Sequence, residues 1–406
     1  MRTATAGCSS AAPGAARRRA GMPEIAGRSR VLVIGAGPAG AAAALALRAR
    51  GVEVCVVDRA RFPRDKACGD ALSNRACALL AALGVDPAAL VAGQGAVRRG
   101  VVRFPDGTRL ARSYDAPGRI VPRRRLDAAL HDAAAEAGAR LFDGTAVASL
   151  ERTPTGAFLA TGPRLRWEAD TVIAADGSGS AAWRASGRAY PRGRALGFPA
   201  TQYLEGVRPS ADDDAAVHWF ETDLPCGYGW AFPAVDGRTN VGVWVRADAH
   251  DPRGAPLRLR LERFLARHPE RFAGARAVSP VRVWPLPLAP APWRRAEPGL
   301  LLVGDAAALA DPLTGEGIWQ ALRSGQLAAE AVATETGDEA GRRAAAECYA
   351  RACVREFGRE AALRSRAQDA LRAAVRRGWY RFGPVRAVLD LFYGRGLLDR
   401  MKIVGR

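Results

Sequence analysis

The chain has 406 residues, 49% of them hydrophobic and 25% charged, a soluble globular profile long enough for two domains or for one domain with a large insertion. Its formal net charge of +19 would attract acidic lipid, phosphorylated ligands or nucleic acid. The basicity is almost all arginine, with lysine only at Lys66 and Lys402, and it is spread along solvated faces, so no nucleic-acid partner is expected. Seven scattered cysteines without a C-x-x-C pair, and four histidines without ligand spacing, exclude a disulfide framework and a zinc site; they fit reduced thiols in a cytoplasmic protein, and no metal is expected.

Residues 1–29 are small, polar and basic, with Arg17, Arg18 and Arg19 in a row. They lack the apolar stretch of a targeting peptide and read as a disordered tail, with Met22 as an alternative start. Residues 31–34 are apolar and mostly β-branched, as a buried parallel strand requires. They run into Gly-x-Gly-x-x-Gly at Gly35, Gly37 and Gly40, and an alanine-rich helix follows to Leu47. Gly35 permits the tight turn, Gly37 lets backbone approach a pyrophosphate, and Gly40 lets helix and strand pack closely. Pro38 and Ala39 open the helix, whose unpaired N–H groups and positive dipole end face the phosphates. A second strand over residues 52–57 ends at Asp58, where an acid can bond a ribose hydroxyl. Strand, glycines, helix, strand and acid in this order predict dinucleotide binding.

A loop over residues 59–69 leads to a helix from about Ser73, its expected N-cap. The element P-x-x-K-x-C-G-D, at Pro63, Lys66, Cys68, Gly69 and Asp70, resembles the geranylgeranyl reductase family, within the larger group of aromatic-hydroxylase-like FAD enzymes. The resemblance implies a loop running along FAD through Arg59, Lys66, Cys68 and Gly69, with the cysteine near the isoalloxazine ring; on chemistry alone Cys68 is equally a small buried apolar side chain.

Further along, strands flank a turn at residues 105–108, and an amphipathic helix spans residues 123–137 with Gly138 as C-cap. R-x-x-L-D at Arg123, Leu126 and Asp127 matches the family and implies an FAD contact for Arg123. Residues 144–150 read as a strand, with Val147 beside the adenine by resemblance. Residues 171–177 form a buried strand ending in Asp176-Gly177, whose aspartate holds a loop or meets the cofactor. From about residue 187, strand-like pieces at 201–205, 215–221, 229–232 and 239–245 alternate with turns, among them Asp236-Gly237. Trp219, Tyr228, Trp230, Phe232 and Trp244 concentrate here, as core or as the lining of an apolar pocket. Y-x-W-x-F-P at Tyr228, Trp230, Phe232 and Pro233 matches the family's motif at its substrate cavity. A last strand over residues 300–303 ends at Gly304-Asp305. Gly315-Glu316-Gly317-Ile318 then opens a helix to about Thr334. By resemblance Asp305 bonds the ribityl chain, and Gly315, Gly317 and Ile318 meet the flavin, where the helix dipole stabilises negative charge on the reduced ring.

The resemblance covers roughly residues 30–335 on five ordered elements. It implies an α/β fold: a Rossmann-like FAD-binding domain of the glutathione-reductase and hydroxybenzoate-hydroxylase type (residues 30–95, 120–186 and 296–335), with an inserted antiparallel β-sheet substrate domain (96–119 and 187–295). A helical C-terminal region follows (336–406). The implied function is an FAD-dependent reductase of polyprenyl C=C bonds, on a geranylgeranyl lipid or a prenylated quinone; the alternative is an FAD monooxygenase or dehydrogenase acting on a smaller natural product. The W-x-W-x-I-P element of flavin halogenases is absent. An alkene needs a proton together with the hydride, and Cys68 and Tyr228 are candidate donors, with bound water their rival. A single nucleotide fingerprint leaves the electron donor external: NAD(P)H, or a protein such as a reductase or ferredoxin. No run of about twenty apolar residues offers a membrane span. The basic and aromatic stretch from Arg376 to Pro384 reads either as a helix covering the sheet or as a peripheral membrane contact.

Overall fold

The computed structural model describes residues 25–187, 189–250, 254–289 and 295–389. Most of the expected N-terminal tail, including Met22, and the end of the helical tail lie outside the described residues. Two sheets dominate what is described. The first contains the parallel strands Ile25–Ile34, Val54–Asp58, Arg140–Asp143, Leu165–Ala174 and Leu300–Leu302. The fingerprint strand lies between Val54–Asp58 and Leu165–Ala174, so both its edges are paired, and Val31, Leu32 and Val33 have no exposed surface. Helices Pro38–Arg48 and Ile318–Ala333 cross on it so closely that a Cβ at Gly325 would lie 2.2 Å from the Ala39 carbonyl oxygen. Small side chains, not large ones, set that separation, which explains the run Ala41–Ala44.

The first strand begins at Ile25, earlier than the disordered tail expected over residues 1–29 allows. Ile25–Ser29 pair with Leu165–Ala169, Gly27 lies beneath the Trp167 ring, and Trp167 Nε1 donates to Ser29 Oγ at 2.9 Å. Backbone pairing and one indole hold a segment with no apolar pattern. The strand expected at residues 144–150 also differs: Gly144 turns at φ +67°, pairing resumes only at Ser149–Arg152, and Val147 lies in the loop between.

The second sheet has Leu196–Glu205, Arg238–Arg246, Gly227–Ala231, Ala215–Trp219, Ala96–Arg103 and Arg109–Ile120 as neighbours in that order. Its pairings are antiparallel except Ala215–Trp219 against Ala96–Arg103, which are parallel, the long connection between them returning the chain to the same end of the sheet. Ala71–Leu72, in the segment assigned by sequence to the FAD-binding part, pairs with this sheet at Arg119 and Ile120. Alternation gives the sheet two faces. Val217, Trp219, Ala231, Val241, Val243 and Val245 pack with Leu261 and Phe264 of the helix Leu257–Arg267. Thr201, His218, Tyr228, Trp230, Phe232 and Trp244 face the other way, toward the first sheet. The helices Glu339–Cys353 and Arg359–Arg377 pack over the body: Tyr349 donates to the Leu302 carbonyl at 2.6 Å, and Gln368 meets the buried Arg246 at 2.7 Å.

Candidate active site

Between the two sheets runs one continuous cleft of about 1520 Å³. Gly35, Gly37, Pro38, Ala39, Asp58, Arg59, Lys66, Cys68, Gly69, Arg123, Val147, Asp305, Gly315, Gly317 and Ile318 all line it, although they are scattered over nearly 300 positions of the chain. Gly40 does not: a Cβ there would sit 1.8 Å from the Gly35 carbonyl oxygen, so its service is to let the helix close on the turn. Gly35 has φ +100° and faces Ala175 too closely for a side chain. Gly37 is different, since a Cβ there would approach only the Arg64 guanidinium, at 3.2 Å, from the open cleft.

These residues fit an FAD. Helices Pro38–Arg48 and Ile318–Ala333 both start at a glycine N-cap without a side-chain cap, and both starts open on the cleft. Their first-turn N–H groups are therefore available to a diphosphate and to a carbonyl edge. Asp58 accepts from the Ala36 and Ala60 amides at 2.8 and 2.7 Å, one on each oxygen. That fixes the turn and leaves each oxygen a lone pair for a ribose hydroxyl. Asp305 pairs with Lys66 Nζ at 3.1 Å across the cleft. Asp176 accepts from the Ala181 amide at 2.6 Å, the loop-holding role; its other oxygen is buried without a hydrogen-bond partner, and burial pushes the carboxyl up. Arg123 is buried and bonded to Asp127 at 2.8 and 2.7 Å, with Arg64 on the same carboxylate at 2.7 Å. Arg123 is held charged by Asp127 against its burial, and its guanidinium also neighbours Cys68.

The loop before Ile318 is clamped from three sides. Asp311 accepts from the Leu313 and Thr314 amides at 2.8 Å, Ser73 donates to Glu316, and the Tyr228 hydroxyl donates to the Thr314 carbonyl. Tyr228 thus commits its proton to the backbone beside Gly315, and the geometry favours it as a tether over the candidate proton donor expected on proximity. Cys68 faces the cleft with its thiol pushed up by burial, so it carries a proton at neutral pH.

Tyr228, Trp230, Phe232 and Trp244 line the second-sheet wall, with Phe232 stacked on Trp230 at 6.0 Å. Trp219 does not belong with them. It lies opposite Gly229, on the far face of the sheet, against Phe264 at 5.5 Å and His268 at 5.4 Å. Strand parity decides this: the side chain one residue earlier, His218, faces the cleft against Tyr228 at 4.6 Å. Burial pushes the His218 imidazole down to about 4, so it is neutral at physiological pH. Sequence reasoning missed His218, Arg64, Asp311 and Asn240. Strict alternation from Val217 would have found the first.

Residues 28–353 match the family described as FAD binding domain. The menaquinone reductase of Mycolicibacterium smegmatis is 34% identical over 326 residues, covering 75% of this chain and 76% of that one. The digeranylgeranylglycerophospholipid reductase of Methanothrix thermoacetophila is 32% identical over 319 residues, covering 75% and 78%. Among solved structures, a geranylgeranyl bacteriochlorophyll reductase-like protein from Thermoplasma acidophilum superposes with a TM-score of 0.77 at 22% identity, over 87% of this chain and 90% of that one, a likeness of fold. With its fingerprint, cleft and relatives in agreement, the chain belongs to the geranylgeranyl reductase family of FAD-dependent oxidoreductases.

Proposed function

We propose that this chain reduces C=C bonds of a polyprenyl chain. The observation that carries the reading is the extent of the cleft. At about 1520 Å³ it exceeds the roughly 300–1,000 Å³ that serves one drug-sized ligand, and it continues from the FAD side past Cys68 onto a wall of four large aromatics. Menaquinone and a digeranylgeranylglycerophospholipid, named for the two relatives, have a polyprenyl chain as their common chemical feature. Bound reduced FAD supplies hydride. Trp230, Phe232 and Trp244 would align the hydrocarbon, which is where orientation contributes most. Cys68 would hold a proton at Sγ for the neighbouring carbon, and Tyr228 would keep the Thr314–Gly317 turn in place. Anaerobic, dithionite-reduced enzyme given a geranylgeranyl lipid or a prenylated quinone should yield a product heavier by two hydrogens per reduced bond. A hydroxylated product formed only with NADPH and oxygen would replace this reading with a monooxygenase.

The electron donor would visit from outside, as NAD(P)H or a reduced carrier protein. Among the described residues no helix is long and apolar enough to cross a membrane. We infer a peripheral contact instead. Trp379 and Phe382 are 41% and 61% exposed beside the exposed Arg376, Arg377 and Arg381, a composition suited to an anionic bilayer surface. Tyr380, between them, stacks at 4.9 Å on Phe104, which stacks on Phe220 at 5.7 Å, and Phe220 meets the Tyr228 ring at 6.1 Å, so the patch backs onto the aromatic wall. Co-sedimentation with phosphatidylglycerol vesicles, lost in a Trp379→Ser/Phe382→Ser double variant, checks it.

A further inference from the structure

The loop that carries Cys68 also carries a carboxyl group to which the reaction above gives no role. Asp70 is fully buried, and its φ of +62° lies in the left-handed region that a non-glycine residue adopts only when its surroundings hold it there. The surroundings are specific. Its Oδ2 accepts from the Tyr203 hydroxyl and from Asn240 Nδ2 at 2.9 Å, and its Oδ1 accepts from the Arg123 amide at 3.3 Å. Its own amide donates to Cys68 Sγ at 3.3 Å, and Asn240 Nδ2 also reaches the Cys68 carbonyl at 2.8 Å. Asn240 is itself fixed, accepting from Thr201 Oγ1 at 2.9 Å and Trp230 Nε1 at 3.0 Å. One polar unit, drawn from a loop, a helix start and three strands of the second sheet, thus borders the thiol.

Building on the reductase reading, we propose that Asp70 is a positioning residue that keeps the proton on Cys68 until substrate takes it. With Asp70 ionised, a thiolate two residues away would put a second negative charge into the same dry corner. Like charges in a desolvated site resist being formed together. The cations that face Cys68 pull the other way: Arg123 from its helix, and Lys66 from the same loop. Tyr203 and Asn240 from the second sheet, and Arg123, favour the ionised form of Asp70, yet burial outweighs them and pushes its carboxyl up to about 7. Asp65 is a further acid that bears on Tyr203. Asp70 therefore changes charge near neutral pH, and ionising it makes thiolate formation harder. In the step it serves, the Sγ–H bond breaks as a C–H bond forms on the alkene carbon next to the one receiving hydride. The thiolate left beside Arg123 then recovers a proton from water.

The test is the alkylation of Cys68 by iodoacetamide, across acid to alkaline pH, on the FAD-loaded full chain. It is followed for the Cys68 peptide by mass spectrometry, because Cys348 is exposed and also reacts. Asp70→Asn retains a side chain that tolerates the left-handed region. It should move the midpoint of the Cys68 profile down by about one unit, a roughly tenfold faster reaction at neutral pH. Tyr203→Phe removes a donor that favours the Asp70 carboxylate. It should shift the midpoint the same way by less, about threefold in rate, and it decides the matter should Asp70→Asn fail to retain FAD. An unmoved midpoint, or faster reaction at every pH about the same midpoint, overturns the proposal. Turnover is scored separately with the prenyl lipid. A shifted midpoint without turnover keeps the role of Asp70 and rejects the reductase reading. Turnover with an unshifted midpoint does the reverse.

Discussion

On the parallel-sheet side of the cleft, what the protein offers a ligand is mostly main chain: two uncapped helix starts, the turn at Gly35, and amides ordered by Asp58 and Asp311. On the second sheet it offers side chains: four aromatics and one imidazole projecting from strands. At Gly35 and Gly40 such a surface tolerates no side chain, because an added carbon meets another backbone atom. A surface made of side chains can be rewritten by changing the residues while the strands stay. The first kind suits a cofactor that never changes, the second a substrate that differs among relatives.

The sharpest way to break this comparison is Gly40→Ala. A Cβ 1.8 Å from the Gly35 carbonyl oxygen forces the Pro38–Arg48 helix off its strand. Overpacking of this kind costs about 1–3 kcal/mol. The displaced atoms are those that would face the diphosphate, so FAD affinity should fall about a hundredfold and the purified protein should lose its yellow absorbance. Retention of FAD at wild-type affinity would show that the backbone wall is more forgiving than the geometry implies.

Next in size is Tyr228→Phe, which sits on the side-chain wall but reaches across to the other. It deletes the donor to the Thr314 carbonyl. Loss of one such bond costs about 1 kcal/mol, and the loop it releases carries Gly315 and Gly317. We expect kcat/KM to fall roughly tenfold, with FAD still bound. Steady-state kinetics with the flavin content measured on the same samples separates the two. A loss of FAD instead would move Tyr228 into the cofactor wall.

The same asymmetry governs how much could be read from sequence. The cofactor wall was legible because its demands fall on glycines and acids at fixed offsets, and Gly37, Arg123 and Asp305 border one cleft as expected. The substrate wall was legible only as a concentration of aromatics. Concentration does not say which face a residue takes, and Trp219 and His218 exchanged places for that reason. Asp70 belonged to a visible motif, yet its inward turn follows from a φ that the residue type does not announce. The strand at Ile25–Ser29 escaped notice because hydrogen bonds and one indole, not an apolar period, hold it.

His218 gives a smaller, pH-dependent test of the side-chain wall. Its folded value of about 4 lies below the ordinary 6.5, so the unfolded chain binds the extra proton first. Its contribution to stability is present above about pH 6.5 and is lost as pH falls toward 4. Replacing it by phenylalanine removes that loss. Urea midpoints of wild type and His218→Phe should be similar at pH 7.5, and should separate by roughly 1–2 kcal/mol in the variant's favour at pH 5. Asp70 contributes oppositely over the same range, since its raised value makes stability fall as pH rises from about 4 to 7. It is common to both proteins, so the difference between them isolates His218. Parallel pH profiles would mean that the imidazole is solvated through the cleft.

The smallest effect expected is the one that distinguishes the two faces of the second sheet. Trp219→Phe keeps an aromatic ring against Phe264 and His268, and removes only part of the indole from the second core. A trimmed core side chain costs about 1 kcal/mol where the neighbours can relax. Because Trp219 points away from the cleft, KM for the prenyl substrate should stay within about twofold, below half a kcal/mol. Trp230→Phe, on the neighbouring strand but on the cleft face opposite His218, removes the donor to Asn240 and shrinks the ring stacked on Phe232. It should raise KM about fivefold for a comparable change in stability. Equal changes in KM for both variants would mean that the substrate senses the sheet as a whole and not the residues on one side of it.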